Sequence, residues 1–279
     1  MESTGKKQGL HVVFLTVMIG CTLVYIYPVF LMFINSLKPF AEVVSDVIAL
    51  PKTLAPENYR YVITKMRYGK LFFNTALITV IGITGIVFFA SLAAYMLHRR
   101  RNRFTAFARI FIITPMLIPF QTIMITLLKT MNILHLTGSR IGLGIQYWGF
   151  GMAMAAFIFY NFMSTIPTEL DESSCIDGAS TFRTYLTIIF PLLKSVTATV
   201  VVLDVMWIWN DFLLPLLMVN RSNDTKTLVL AAYTFVGQFN TEWHYAMTAM
   251  VLVVLPSIAF FVLFQKNIMA GVVAGAVKG

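Results

Sequence analysis

The sequence predicts an all-α integral membrane protein with six transmembrane helices, from its composition and from the spacing of its charges. Hydrophobic residues make up 58% of the 279-residue chain, charged residues make up 12%, and the mean hydropathy is +0.79. Soluble domains usually carry about a quarter charged residues. Six stretches without Lys or Arg are long enough to cross a ~30 Å hydrocarbon core as helices. They are 8–37, 71–97, 110–128, 141–168, 195–220 and 243–265.

The first stretch is too long for the core of a signal peptide, and no small-residue cleavage site follows it. The polar 36–70 segment that comes next contains Pro39, Pro51 and Pro56. These features predict an external excursion with a short amphipathic segment near 58–66. We therefore expect residues 1–70 to form a transmembrane helix and an external amphipathic segment, 71–265 a transmembrane core, and 266–279 a tail.

Prolines and glycines within the stretches predict local features of the helices. Pro115 and Pro119 should kink the third span, since each removes a helix hydrogen bond. Small residues allow helices to approach closely, so packing is the expected role of the glycines in spans two and four. These are Gly82, Gly85, Gly142, Gly144, Gly149 and Gly151.

Charge alone does not settle the orientation. With both termini in the cytoplasm, 11 of the 21 basic residues fall inside and the other ten outside, which is nearly a tie under the positive-inside rule. The dense 98–103 cluster, at the end of span two, favours the cytoplasm. The net charge of +9 is explained by membrane topology, and no basic-aromatic interleaving indicates nucleic acid as a partner.

Features of catalysis and cofactor binding are missing from the sequence. Cys21 and Cys175 show neither a disulfide framework nor metal-ligand spacing, so we expect no metal site. The chain contains no G-x-x-x-x-G-K-S/T phosphate loop. We therefore expect no catalytic residue, no cofactor, and no ATP binding by this chain itself.

A polar segment, 166–191, separates the fourth and fifth spans and carries four of the twelve acidic residues. Residues 169–179 offer about three helical turns, Asp177-Gly178 a turn, and 181–189 a second helical pattern. A solvated connecting loop is the plain interpretation. Apolar residues interleaved with the charges, such as Ile176 and Phe182, instead favour an interface with a partner protein.

The segment resembles the EAA loop of binding-protein-dependent ABC importer permeases. The resemblance lies in Glu172-Ser173-Ser174-Cys175-Ile176-Asp177-Gly178-Ala179, with Tyr185, Ile188 and Pro191 at matching offsets. Ser173 and Ser174 replace the usual alanines, and Tyr185 replaces the usual Phe. Further motifs resemble the carbohydrate-importing, MalG-like branch. Among them are Asn35-Ser36-Leu37-Lys38, Pro115-Met116-Leu117-Ile118-Pro119, Trp209-Asn210-Asp211-Phe212 and the ending Gly275-Ala276-Val277-Lys278-Gly279.

This resemblance implies the type I ABC importer permease fold, in a bacterial cytoplasmic membrane with both termini cytoplasmic. It implies a second homologous permease subunit, two ATP-binding subunits that hold ATP and Mg, and an extracellular or periplasmic solute-binding protein. Residues of the cytoplasmic coupling helix would contact the ATPase, and Ala179, Ile188 and Pro191 would fix the second helix against the spans. The coupling set is Glu172, Ser173, Ser174, Asp177, Gly178, Ala179, Tyr185, Ile188 and Pro191, and the tail set is Gly275, Ala276 and Lys278.

The fifth span alone carries acids, and a carboxylate at bilayer depth costs a few kcal/mol unless it faces protein or water. Asp204 and Asp211 are seven residues apart, so on one helix they would share a face. That face could line a solute path with Trp207 and Asn210, or Asp211 could only cap or pair within the bundle. Tyr147 and Trp148 in span four are further candidates for the path.

Two other functions remain open from the sequence. One is a secondary transporter or channel that uses Asp204 and Asp211 as ion or proton sites. The other is an ABC importer for amino acids or peptides, which the MalG-like ending disfavours. The sequence names no substrate.

Overall fold

The computed structural model describes residues 2–100, 102–236 and 241–276, and side chains within 11–100, 102–236 and 241–266. Helices account for nearly all of the regular structure, and the described residues contain no strand. This confirms the predicted all-α membrane fold. The chain divides into two compact units, Met1–Tyr68 with Ala232–Leu255, and Gly69–Ala231 with Pro256–Gly279.

Among the described residues, four helices are long and apolar enough to cross a membrane, and two strongly bent helix pairs raise the possible number of spans to six. The four are His11–Ser36, Tyr68–Arg99, Arg140–Met163 and Trp243–Lys266. One pair, Arg103–Leu117 with Phe120–Ile133, is bent by 104°. The other, Thr181–Leu192 with Lys194–Asn210, is bent by 77°. The third predicted span is therefore bent, as Pro115 and Pro119 indicated.

In the first unit, α1 (Glu2–Ser36) leads into α2 (Phe40–Ser45) and α3 (Glu57–Met66), and the N-terminal part of α14 (Trp243–Ala276) belongs to the same unit. The predicted amphipathic segment forms helix α3, which buries Asn58, Val62 and Met66 at four-residue spacing. The Asn58 amide donates to the carbonyls of Ser36 and Lys38, at 3.0 and 2.9 Å. These bonds tie α3 to the end of α1.

The stretch between α2 and α3 is organised by polar contacts. The ammonium of Lys38 is buried and donates to the carbonyl of Asp46 at 2.9 Å. The backbone N–H groups of Lys52 and Thr53 donate to the Glu42 carboxylate and hold the pKa of that group below its ordinary value. Because the folded pKa is lowered, this contribution to stability is present at neutral pH and is lost on acidification below about pH 4.

The second unit holds the hydrophobic core, built mainly from α4 (Tyr68–Arg99), α7 (Arg140–Met163) and α11 (Lys194–Asn210). It also contains α5 (Arg103–Ile113), a 3₁₀ turn (Thr114–Leu117), α6 (Phe120–Ile133), α8 (Glu169–Ile176), α9 (Thr181–Thr184), a π turn (Tyr185–Ile189), α10 (Phe190–Leu192), α12 (Leu213–Val219), and most of α13 (Leu228–Ala232).

Glycines let α4 and α7 pack closely, as predicted. A Cβ on Gly85 would lie 2.1 Å from the ring of Trp148, and one on Gly151 would lie 2.3 Å from Ile86. Trp148 also donates its indole N–H to the carbonyl of Ile81 at 2.8 Å. Gly149 differs, because its Cβ position is open.

The fifth predicted span, 195–220, is not one helix. Helix α11 ends at Asn210, Asp211 is extended with φ −70° and ψ 136°, and α12 begins at Leu213. Pro215 explains the break, because it has no N–H to donate to the carbonyl of Asp211, four residues earlier. The expectation that Asp204 and Asp211 share a face of one helix is therefore wrong.

Candidate functional site

The polar segment folds as two short helices joined by a tight turn. Helix α8 ends at Ile176, and Gly178 follows with φ +76°, the left-handed conformation that closes many helices. The N–H of Ala179 donates to the carbonyl of Ser174 at 3.0 Å. The predicted turn at Asp177-Gly178 is present, but α8 is about one turn shorter than the predicted 169–179 helix.

Side chains fix the two helices to each other. The hydroxyls of Ser174 and Thr184 are buried and hydrogen-bonded to one another at 2.7 Å. Ser180 caps the second helix by accepting from the N–H of Arg183 at 3.3 Å. Ser174, which replaces an alanine of the EAA pattern, therefore adds a polar link within the segment.

The second helix anchors the segment in the core. Tyr185, Ile189 and Leu193 are fully buried, and the hydroxyls of Tyr185 and Ser91 are hydrogen-bonded at 2.7 Å. Tyr185 and Ile189 lie in the π turn Tyr185–Ile189, and Leu193 directly follows α10. Sequence reasoning had assigned the anchoring to Ala179, Ile188 and Pro191. Ala179 and Ile188 are only half-buried and Pro191 is exposed, so Pro191 is corrected to a surface position.

The end of α4 holds the start of the segment. The Tyr95 hydroxyl donates to Oδ1 of Asp171, and Arg99 forms a 2.8 Å ion pair with Oδ2 of the same carboxylate. The Arg99 guanidinium also donates to the carbonyls of Ile166 and Pro167, each at 3.2 Å. We refer to Tyr95, Arg99 and Asp171 as the clamp.

Sequence reasoning missed the clamp. Its only signals were the basic cluster at the end of the second span and the acidic character of the segment. Neither signal says which arginine meets which acid, because the partners lie 72 positions apart in the sequence.

The tip of the segment presents an exposed surface. Glu172, Ser173, Asp177 and Gly178 are exposed, and the Ile176 side chain, at their centre, is 87% exposed. A large apolar side chain surrounded by acids on a firmly held turn is typical of a protein-docking surface. We refer to these five residues as the tip.

Three of the candidate path residues lie together around the break after α11. Tyr147 is buried and its hydroxyl donates to Oδ2 of Asp211 at 2.8 Å. Oδ1 of Asp211 accepts from the N–H of Leu213 at 3.1 Å. The ring of Trp207 lies edge-on to that of Tyr147, with centroids 5.4 Å apart, and its side chain is 42% exposed.

The other candidates have different environments. Asn210 accepts from the Ser257 hydroxyl at 3.1 Å and donates to the carbonyl of Met206 at 2.7 Å. Asp204 is buried, and its Oδ2 has no hydrogen-bond partner among the described residues. Trp148 packs against Gly85 of α4 and donates to the carbonyl of Ile81 on the same helix. The structure thus brings together Tyr147, Trp207 and Asp211.

The candidate tail lies mostly beyond the described side chains. Gly275 and Ala276 are in the last turn of α14, whose side chains are not described there, and Lys278 lies outside the described residues.

The fold is that of a multi-pass membrane protein that carries the exposed tip on a segment fixed to its core. The family model "Binding-protein-dependent transport system inner membrane component" matches residues 86–273. The chain belongs to this family, whose members are transport permeases of the inner membrane rather than enzymes.

Similar curated proteins cover the chain almost end to end. The probable starch degradation products transport system permease AmyC of Thermoanaerobacterium thermosulfurigenes is 38% identical over 92% of this chain and 93% of its own length. The multiple sugar-binding transport system permease MsmG of Streptococcus mutans is 32% identical over 90% of this chain and 91% of its own. The melibiose/raffinose/stachyose import permease MelC of Bacillus subtilis is 30% identical over the full length of both.

A solved structure supports the fold independently. A chain of a bacterial ABC transporter involved in import of the acidic polysaccharide alginate superposes with a TM-score of 0.81. The match covers 94% of this chain and 97% of that one, at 21% sequence identity. At this identity the likeness shows a common fold.

Proposed function

We propose that this chain is a permease subunit of an ATP-driven ABC importer that moves an oligosaccharide or related carbohydrate across the bacterial inner membrane. It would pair with a second, homologous permease subunit, two ATP-binding subunits that hold ATP and Mg, and an extracellular or periplasmic solute-binding protein. Both termini would lie in the cytoplasm. The sugar-transport names of the similar proteins support the substrate class.

The observation that carries the proposal is an exposed tip on a segment that is fixed to the core. Among the described residues Ile176 is 87% exposed, while Asp171, Tyr185 and Ile189 fix the segment to the core. A loop that served only to connect spans would not need this support. The tip therefore suits a partner that pushes on it, and we assign that partner as the ATPase.

Force on the tip would reach the spans through two links. One is the clamp, which joins the start of α8 to the end of α4, and the other is the hydroxyl pair of Tyr185 and Ser91, also on α4. Closure of the ATPase pair would move this unit as a body and open the pathway by alternating access. Gly275, Ala276 and Lys278 would provide a second contact with the ATPase.

The path would pass the break after α11. Asp211 and Asn210 offer oxygen acceptors for sugar hydroxyls, and Trp207 offers an aromatic face, a combination suited to a hydroxyl-rich solute. Asp204 and Trp148 would lie behind these path residues, inside the helix bundle. A proton or ion carrier would instead use Asp204 and Asp211 directly, without nucleotide.

Reconstitution in proteoliposomes separates these functions. Vesicles containing the permease pair and the ATPase, with ATP on the ATPase side and binding protein on the other, should accumulate radiolabelled maltotriose or raffinose. Vesicles without ATP should accumulate neither sugar. Transport by the permease chains alone, driven by an ion gradient, would contradict the proposal, as would uptake of amino acids or peptides and not sugars.

A further inference from the structure

A cavity of about 670 Å³ opens where the end of α4, the start of α5 and the side of α7 meet. Its lining includes Leu97, Asn102, Arg103, Arg109 and Tyr160. The volume falls in the range of small-ligand sites. None of these residues belongs to the tip, the clamp or the candidate path, so the functions described above leave the cavity unexplained.

The cavity is positively charged. Arg103 and Arg109 both line it, and the described lining contains no Asp or Glu. Neither arginine forms an ion pair with any described residue, whereas nearby Arg99 is neutralised by Asp171. Two unneutralised guanidinium groups at one opening favour an anionic ligand.

Tyr160 holds the Arg109 side chain at the cavity. One of its terminal nitrogens donates to the Tyr160 hydroxyl at 3.0 Å, and the guanidinium carbon lies 5.4 Å from the centre of that ring. His98 contacts the same ring edge-on, at 5.4 Å between centroids. A guanidinium has five N–H donors in a rigid fork that matches phosphate geometry, so most donors of Arg109 remain for a ligand.

The surroundings identify the source of the phosphate. Next to the cavity, α5 exposes a row of large apolar side chains: Phe104, Phe107, Ile110 and Phe111, each 63–75% exposed. An apolar surface contributes nothing to the binding of a free phosphate ion, whereas the acyl chains of a phospholipid would pack against it. We propose that the cavity binds the phosphate of an anionic phospholipid headgroup, with the acyl chains against α5.

This site would tie α5 to the membrane surface beside the clamp. Basic pockets between transmembrane helices bind anionic headgroups in this way, and each Lys or Arg near the surface strengthens the binding. Loss of both arginines should therefore weaken retention by more than about tenfold. The proposal does not depend on the transported solute.

Native mass spectrometry of the full chain in mild detergent tests the proposal, with phosphatidylglycerol, phosphatidylcholine and inorganic phosphate as probes. The parent protein should retain one phosphatidylglycerol in preference to phosphatidylcholine, and excess inorganic phosphate should not displace it. The double variant Arg103→Gln with Arg109→Gln should lose this preference, while the double lysine variant should keep most of it. The matched control, Arg60→Gln with Lys65→Gln, removes the same charge from exposed positions on α3 and should behave as the parent.

Four results would overturn the proposal. Equal retention of the two lipids, or equal retention by the parent and the double glutamine variant, would show that the cavity does not select an anionic lipid. Displacement by inorganic phosphate would indicate a free-anion site. Unchanged lipid retention together with loss of a co-purifying subunit would indicate that an acidic protein surface occupies the cavity. Lipid-free thermal unfolding of each variant shows whether it is folded.

Discussion

Gly178 is the residue whose backbone shapes the tip. Its φ of +76° lies where a Cβ costs roughly 1–2 kcal/mol, although the space around a Cβ would be open. Substitution there acts through backbone strain rather than through a clash. A substitution of Gly178 therefore changes the backbone geometry of the turn and has little direct effect on side-chain packing.

Gly178→Pro should abolish transport while leaving membrane insertion intact. Proline holds φ near −65°, so the turn cannot form and the tip loses its shape. Uptake and ATP hydrolysis measured in proteoliposomes should become uncoupled. Gly149→Ala is the matched control, since this helical glycine is exposed and has room for a methyl group. Normal uptake by Gly178→Pro would refute the role given to the turn.

Asp171→Asn should destabilise the segment. The substitution leaves the Arg99 guanidinium, whose side chain is only 10% exposed, without its carboxylate partner, and an unpaired buried polar group costs about 1–3 kcal/mol. Chemical unfolding in detergent should show this loss. Glu169→Gln makes the same change at an exposed acid on the same helix and should be neutral. Equal stability of the two variants would show that the clamp does not stabilise the segment.

Among the helices, the bend in the third span and the turn after α8 were predictable, because a proline or glycine marks each of them in the sequence. Pro115 and Pro119 marked the 104° bend, and Gly178 marked the turn. Pro28 and Pro256, in contrast, lie inside the continuous helices α1 and α14. A proline removes one hydrogen bond wherever it occurs, but whether the helix breaks depends on what replaces that bond.

The break at Asp211 shows why part of the site escaped prediction. Residues 195–220 read as a continuous apolar span, and Pro215 alone hinted at the interruption. The Asp211 carboxylate occupies the break because the N–H of Leu213 and the hydroxyl of Tyr147 both donate to it. The second of these contacts joins residues 64 positions apart, and no local pattern encodes it.

Tyr147→Phe tests whether this break lines the solute path. The substitution removes one donor from Asp211 at a cost of about 1 kcal/mol and leaves the ring contact with Trp207. The KM of sugar uptake should rise, while ATP hydrolysis stays coupled to uptake. Tyr61→Phe, which removes the hydroxyl of a partly exposed tyrosine on α3, should change neither. An unchanged KM in Tyr147→Phe would place the path elsewhere.

At the scale of the whole molecule, a permease of this kind works only as part of a complex. The chain carries helices long enough to span the membrane and a tip that the clamp and the core hold in place, while its sequence lacks a phosphate loop. We attribute the energy source to a partner that docks on Ile176 and the acids around it. We therefore propose that the ATPase binds to this surface.

Co-purification of the ATPase with Ile176→Glu tests that claim most directly. The side chain is 87% exposed, so the substitution should leave the fold and membrane insertion unchanged while placing an unpaired charge in the docking surface. Val44→Glu, at another exposed apolar position, is the control. We predict that Ile176→Glu loses most of its bound ATPase and that Val44→Glu retains it. Full retention of the ATPase by Ile176→Glu would contradict the account.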